Sequence, residues 1–287
     1  MNYKKILTLR TTPTLMKYKS YIYPLLAVAL LIEASANPII VAHRGASNVA
    51  PENTMPAFDL AWAQGADAIE GDFHLTADGE VVCIHDRGTK RVATSDLVIK
   101  NSTLNELLQL DVGSWRGDEW SGTRIPTASQ VFASIPDGKM IYIEIKCGPE
   151  IIPKLFDELK QSDLKNKQVV IISFSTRVIA AIESTYPQVK TMWLSNIKKS
   201  EDGNVKPTIE EALSALRRIK ADGISTKAHE MLDEGYISTI RKAGFEYHVW
   251  TIDAASTARR FADMGVLSIT TNKPQYIREQ LAQKADL

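Results

Sequence analysis

The sequence predicts a (β/α)8 TIM barrel with a small insertion after the second barrel strand, and three observations lead there. Eight short apolar runs rich in β-branched residues recur along the chain, most of them separated by helix-length stretches. That alternation is the pattern of parallel βα units. The runs are almost continuously apolar, so both faces of the sheet must be covered, as in a closed barrel or a doubly wound sheet. No Gly-rich dinucleotide loop follows any run, which weighs against the doubly wound alternative. The chain has 287 residues; about two domains would fit by length, and so would one barrel of roughly 250 residues behind a leader.

Composition narrows the function classes. Hydrophobic residues make up 44% and charged residues 24%, a globular mixture that excludes disordered, collagen-like and multispanning chains. The 34 cations balance 34 anions, without the basic surplus that nucleic-acid binders carry. Two cysteines are too few for a disulfide framework or a four-cysteine zinc site.

The first 36 residues read as a secretory leader. They hold Lys4, Lys5, Arg10, Lys17 and Lys19 against one anion, Glu33. An apolar run over 21–32 is too short to span a bilayer comfortably and ends in Ala34-Ser35-Ala36. Cationic head, short apolar centre and small-residue exit place cleavage after Ala36. Met16 offers a second start, since residues 1–15 add nothing a signal requires. An uncleaved N-terminal anchor is the alternative. The mature chain, 37–287, then carries 29 cations and 33 anions, a net of −4, and works in the periplasm or outside the cell, without stable membrane association.

Its elements follow in order. The first strand covers 39–43 and precedes a helix over 55–64. The second strand, 68–72, runs into Asp78-Gly79, the strong hairpin signal between two β-prone segments. A two-residue turn there makes paired positions sum to 157 and sets Asp72 opposite His85. A three-residue loop with a bulge would shift the pairing by one. An insertion occupies about 73–135, irregular from 87 on, and its best-formed pieces are 111–117 and Ile125-Pro126-Thr127. Strands over 140–146, 169–174, 191–195, 222–226, 247–252 and 267–271 complete the eight. Helices are expected over 151–162, 176–185, 208–219, 236–243 and 254–264.

Barrel sites gather at the C-terminal ends of the strands, and charged residues collect there in this sequence. The first strand ends in His43-Arg44-Gly45, followed by Glu52 and Asn53. Glu70 and Asp72 stand two apart, hence on one face of the second strand. Glu144 and Lys146 repeat that spacing on the third, and Trp250 lies on the seventh. Carboxylates aimed into one barrel mouth repel unless a cation lies between them, and an all-oxygen cluster suits Mg²⁺ or Ca²⁺ rather than zinc. With Arg44 and Lys146 as further cations and His43 and His85 to move protons, the set suits cleavage of a phosphate ester. Singly each residue has a structural reading: Glu70 or Lys146 as an ion pair, His43 and Trp250 as core. His74, His229 and His248 lack partners and read as structural, and Cys83 and Cys147 read as buried hydrophobes, with a disulfide between them as the alternative. The coincidence of five polar elements at predicted strand ends is what favours a site.

These residues resemble the glycerophosphodiester phosphodiesterases. The matching stretches are 42–45, 51–54, 57–58, 69–72, 76–79, 83–86, 125–127, 143–146, 173–174 and 250–251, within 42–274. The resemblance implies a metal-dependent barrel enzyme releasing glycerol 3-phosphate and an alcohol from small glycerophosphodiesters such as glycerophosphocholine or glycerophosphoethanolamine. It implies His43 and His85 as the acid–base pair, with His43 the base, and Glu70, Asp72 and Glu144 as ligands of one divalent cation, Ca²⁺ or Mg²⁺. It further implies Arg44 and Lys146 on the phosphate, Trp250 against the glycerol, Glu52 near the metal and Asn53 organising its loop. Either the neighbouring glycerol hydroxyl or water attacks. Two positions depart from the family pattern: Asp253 stands where Asn is usual, and Asn272 where Asp is usual. Two other functions compete. A phospholipase D or sphingomyelinase-type barrel acting on a lipid phosphodiester would show an exposed apolar rim. A non-catalytic binding protein would lack one of the histidines or carboxylates.

Overall fold

The β-branched runs close into a barrel because each carries apolar side chains on both faces, one set for the barrel interior and one for the surrounding helices. A computed structural model describes residues 37–283. The leader read in 1–36 lies outside the described residues. In chain order the first half holds β1 (Ile39–His43), α1 (Met55–Ala63), β2 (Ala68–Leu75), β3 (Val81–Cys83), α2 (Leu104–Leu107), α3 (Ala128–Ala133), β4 (Met140–Ile145), α4 (Ile152–Gln161), β5 (Val169–Ser173) and α5 (Thr176–Thr185). The second holds β6 (Lys190–Ser195), β7 (Lys198–Lys199), β8 (Val205–Lys206), α6 (Ile209–Ile219), β9 (Gly223–Lys227), α7 (Glu234–Lys242), β10 (Glu246–Trp250), α8 (Ala255–Asp263), β11 (Ser268–Thr271) and α9 (Pro274–Ala282). Strands β1, β11, β10, β9, β6, β5, β4 and β2 are neighbours in that order, and β2 pairs back with β1 to close the ring. Threonine, serine and aspartate caps start the helices: Thr54, Ser175, Thr208 and Asp233 each accept a backbone N–H from the first turn, stabilising each end by about 1 kcal/mol. Among the described residues no helix is long and apolar enough to cross a membrane.

Strand parity decides where the chemistry goes. Val41, Ala68, Tyr142, Val170, Ile172, Met192 and Leu194 form one cluster that fills the barrel. The alternate residues Ala42, Ile69, Ile141, Ile143 and Ile171 pack outward with Phe58, Val131, Leu155 and Val178 of the helices. Two residues on from Val41, Ala68 and Tyr142, the same inward face becomes polar as His43, Glu70 and Glu144. Register completes the placement: His43 pairs with Glu70 and Asp72 pairs with Glu144. The polar layer thus lies on an apolar plug, at the C-terminal mouth.

The hairpin corrects one sequence expectation. Phe73 pairs with Cys83, His74 with Val82 and Leu75 with Val81, so the register is shifted by one and Ile84, not His85, faces Asp72. Ile84 N donates to Asp72 O at 2.8 Å. The loop has three residues, Ala77, Asp78 and Gly79, between the paired Thr76 and Glu80. Gly79 supplies the left-handed φ of 83° that this loop needs, the conformation glycine adopts without steric cost. Asp78 accepts from Thr76 Oγ1 at 2.6 Å and from Leu104 N at 3.0 Å, tying the tip to α2.

Three helices were not anticipated: α2, a single turn inside the insertion, and α3 and α9. Helix α3 buries Ala128, Val131 and Phe132 in the outward core, in the position of the barrel's second helix. Helix α9 follows β11 at once through Pro274. The excursion between β3 and α3 has its own small core of Val82, Ile84, Val92, Ile99, Leu107, Leu110, Val112 and Ile125.

Candidate active site

At the top of β1 the chain turns sharply. Arg44 has a φ of 56° and Gly45 of 82°; a Cβ on Gly45 would lie 2.5 Å from the Ala57 carbonyl carbon. Only glycine lets α1 approach this closely. The turn points Arg44 N at Glu70 Oε2, 2.9 Å away. It sends the guanidinium between two acids: Nη1 donates to Glu52 Oε1 at 2.9 Å, and Nε lies 3.1 Å from Asp72 Oδ2 without the alignment of a hydrogen bond. Asn53, held at a φ of 56°, clamps Asp72 twice. Its Nδ2 donates to Asp72 Oδ2 at 2.8 Å, and its Oδ1 accepts from Asp72 N at 3.1 Å. The same oxygen takes the Cys83 thiol at 3.3 Å; Cys83 and Cys147 are both free.

Glu70, Asp72 and Glu144 are 2%, 0% and 9% exposed, and each offers an oxygen within 4.8 Å of the others. Lys146 Nζ donates to Glu144 Oε1 at 2.7 Å and stands 3.4 Å from Asp72 Oδ1. Burial, then the Asp72 and Glu144 charges, push Glu70 well above the usual carboxylate range. Burial and Asp72 push Glu144 up to about 7, partly offset by Lys146. Burial would raise Asp72 as well, but Arg44, Lys146 and His85 outweigh it and hold Asp72 at about 2. Two buried oxygens, Glu70 Oε1 and Asp72 Oδ1, have no hydrogen-bond partner. Three carboxylates in mutual repulsion, with two acceptors unmet, fit a hard divalent cation.

The two histidines are held through Nδ1, each against a side-chain oxygen. His43 Nδ1 lies 2.7 Å from Asn272 Oδ1. Burial and the Arg44 cation draw His43 down to about 4, against the opposing effect of the Asn272 contact. His85 reaches the site from the residues after β3, and its Nδ1 lies 2.7 Å from Asp86 Oδ1. Asp86 Oδ2 accepts from Arg91 Nε at 2.7 Å, and Arg91 grips both oxygens of Glu52 at 2.9 and 2.8 Å. Glu52 therefore joins Arg44 to the His85 side.

His43, Arg44 and Glu52 line a cavity of about 330 Å³ with Ser47, Asn48, Trp115, Arg116 and Asn272. Trp250 does not line it. The indole N–H donates to Ser225 O at 3.1 Å, and Phe174 stands edge-on at 5.7 Å. His74 and His248 are buried, bonded to His85 O at 3.2 Å and to Ser268 Oγ at 2.7 Å. The sequence reading missed Asp86 and Arg91, which hold His85. The adjacency of an acid to His85 was a usable signal for the first, whereas Arg91 meets Glu52 across 39 residues.

Comparison with known proteins agrees with this geometry. The Glycerophosphoryl diester phosphodiesterase family matches residues 43–276. A Bacillus subtilis (strain 168) relative is 34% identical over 244 residues, 83% of this chain and 96% of its own. The glycerophosphodiester phosphodiesterase of Caldanaerobacter subterraneus subsp. tengcongensis is 33% identical over 242 residues, 83% of this chain and 95% of its own. An Oleispira antarctica phosphodiesterase, solved with the product sn-glycerol-3-phosphate, superposes with a TM-score of 0.76 at 28% identity, over 86% of this chain and 97% of its own. A family match across most of the barrel, on a mouth built from these acids and histidines, leaves one conclusion: the chain belongs to the glycerophosphoryl diester phosphodiesterase family.

Proposed function

We propose that this enzyme hydrolyses small glycerophosphodiesters, such as glycerophosphocholine or glycerophosphoethanolamine, to glycerol 3-phosphate and an alcohol. The observation that carries the reading is the buried trio of Glu70, Asp72 and Glu144, with two unmet oxygens beside Arg44 and Lys146. In this reading the trio holds one divalent cation, Ca²⁺ or Mg²⁺, which when bound neutralises charge on phosphoryl oxygens. Arg44 and Lys146 orient the phosphate, a bidentate fork and a point charge respectively. His43 takes the proton from the attacking oxygen, either of water directly or of the neighbouring glycerol hydroxyl, whose attack forms a cyclic phosphate that water then opens to glycerol 3-phosphate. His85 returns one to the leaving alcohol oxygen. In the same reading Trp250 offers the glycerol an apolar wall beyond the cavity that His43 and Arg44 line. Residues 1–36 export the chain in the same proposal, supported by their cationic, apolar and small-residue order; N-terminal sequencing of the exported protein should begin at Asn37. The decisive assay follows glycerol 3-phosphate release from glycerophosphocholine with added Mg²⁺ or Ca²⁺. Turnover that chelator stops is expected; full turnover in chelator would refute the metal assignment.

One observation favours a second substrate class. Val49, Trp115, Phe174 and Tyr276 are 50%, 43%, 42% and 42% exposed, and they follow β1, lie in the insertion, follow β5 and begin α9. Val49 and Tyr276 line a cavity with Asn272, and Trp115 lines the cavity that holds His43 and Asn272, so part of this apolar surface borders the mouth. A lysophospholipid would cover this rim with its acyl chain, so turnover of lysophosphatidylcholine against glycerophosphocholine separates the two classes.

A further inference from the structure

We propose that Asp253 and Asn272 form a positioning relay that locks His43 in the tautomer with its proton on Nδ1 and the lone pair on Nε2. The inference rests on the reading of His43 as the base, and its chain of bonds needs no substrate. Asp253 comes just after β10 and Asn272 just after β11. The Asp253 carboxylate accepts on both oxygens: Oδ1 from Thr271 Oγ1 at 2.9 Å and Asn272 N at 2.8 Å, Oδ2 from Asn272 Nδ2 at 2.6 Å. An ionised carboxylate has no proton to give, so the carboxamide must turn its NH₂ toward Asp253. Its oxygen then faces the other way, toward His43 Nδ1 at 2.7 Å and the Ser47 hydroxyl at 2.8 Å. A carboxamide oxygen only accepts, so Nδ1 must carry the hydrogen. Three links of donor–acceptor logic therefore fix the tautomer from the loops after β11, which pairs with β1, and β10 beyond it.

The relay also joins the two family departures noted in the sequence. Asp at 253 and Asn at 272 reverse the usual acid and amide, and the 2.6 Å contact shows that they touch. Exchanging the two residues would keep one carboxyl–carboxamide hydrogen bond with its ends reversed. The negative charge sits one link away from His43, whereas His85 faces the Asp86 carboxylate directly. The neutral neighbour accords with the low position of His43, which burial and Arg44 dominate.

Nitrogen-15 spectra of the histidine rings, with His43 assigned by its loss in His43→Gln, test the relay without substrate. The wild type should show a protonated Nδ1 and a bare Nε2. Asn272→Ala and Asp253→Ala should mix the tautomers and lower kcat at least tenfold, with KM within about threefold. Asn272→Asp alone sets two carboxylates face to face and should be worse. Asp253→Asn with Asn272→Asp should recover at least tenfold over Asn272→Asp, because the bond pattern returns with its ends exchanged. The relay is refuted if the Nδ1 proton and kcat survive in folded Asn272→Ala and Asp253→Ala, or if the double variant is no better than Asn272→Asp. Wild-type turnover in His43→Gln would instead overturn the base assignment and leave the tautomer result standing.

Discussion

His43 and His85 are distinguished by what stands behind them. Replacing either with Ala should cost about 10²–10⁴-fold in kcat if each moves a proton, measured with saturating cation so that metal loss is not read as acid–base loss. Arg91→Ala should lower kcat about tenfold, because Asp86 and Glu52 each lose a charged partner while the carboxylate trio is untouched. The temperature shift on adding Mg²⁺ or Ca²⁺ should stay at its wild-type value in that variant. The acids and histidines were legible in the sequence because a charged residue inside an apolar strand demands a reason. Arg91 was illegible because it meets Glu52 across 39 residues, and an exposed arginine in a polar loop has no periodic signature.

The turn from β1 to α1 concentrates strain and function in three residues. Gly45→Ala puts a Cβ into the Ala57 backbone at a positive φ, so a loss of about 2–4 kcal/mol is expected. Urea titration would show it as a lower midpoint with an unchanged slope. Activity should fall further than stability explains, since Arg44 and His43 flank the moved peptide. The barrel strands were readable for the same packing reason that makes them barrel strands. The hairpin register was not, because Asp78-Gly79 suits both a two- and a three-residue loop, and the choice is made by Asp78 capping onto α2. Helix α3 was hidden by shortness, with only six residues and a Thr127 capping box to announce it.

Across the whole molecule the carboxylate trio links pH, metal and stability. Without a cation, the folded state holds Glu144 up to about 7 from an ordinary value of 4.5. The folded chain therefore binds more protons than the unfolded one in that window, and stability falls as pH rises from about 4.5 through 7. Glu70, shifted the same way, adds to this slope. A bound cation removes the repulsion and competes with those protons. The rise in Tm on adding Mg²⁺ or Ca²⁺ should accordingly be larger at pH 8 than at pH 5.5, and thermal melts with and without chelator measure it. An equal rise at both values would mean that the cation binds away from the trio.

The excursion between β3 and α3 supplies Arg91 to the His85 side and Trp115 and Arg116 to the cavity wall. Anyone grafting that segment between homologues would transplant part of the reactive centre with it. Chimaeras cut near residues 87 and 127 belong with active-site exchanges, and their altered turnover should be traced to the missing guanidinium before any change in substrate entry is invoked.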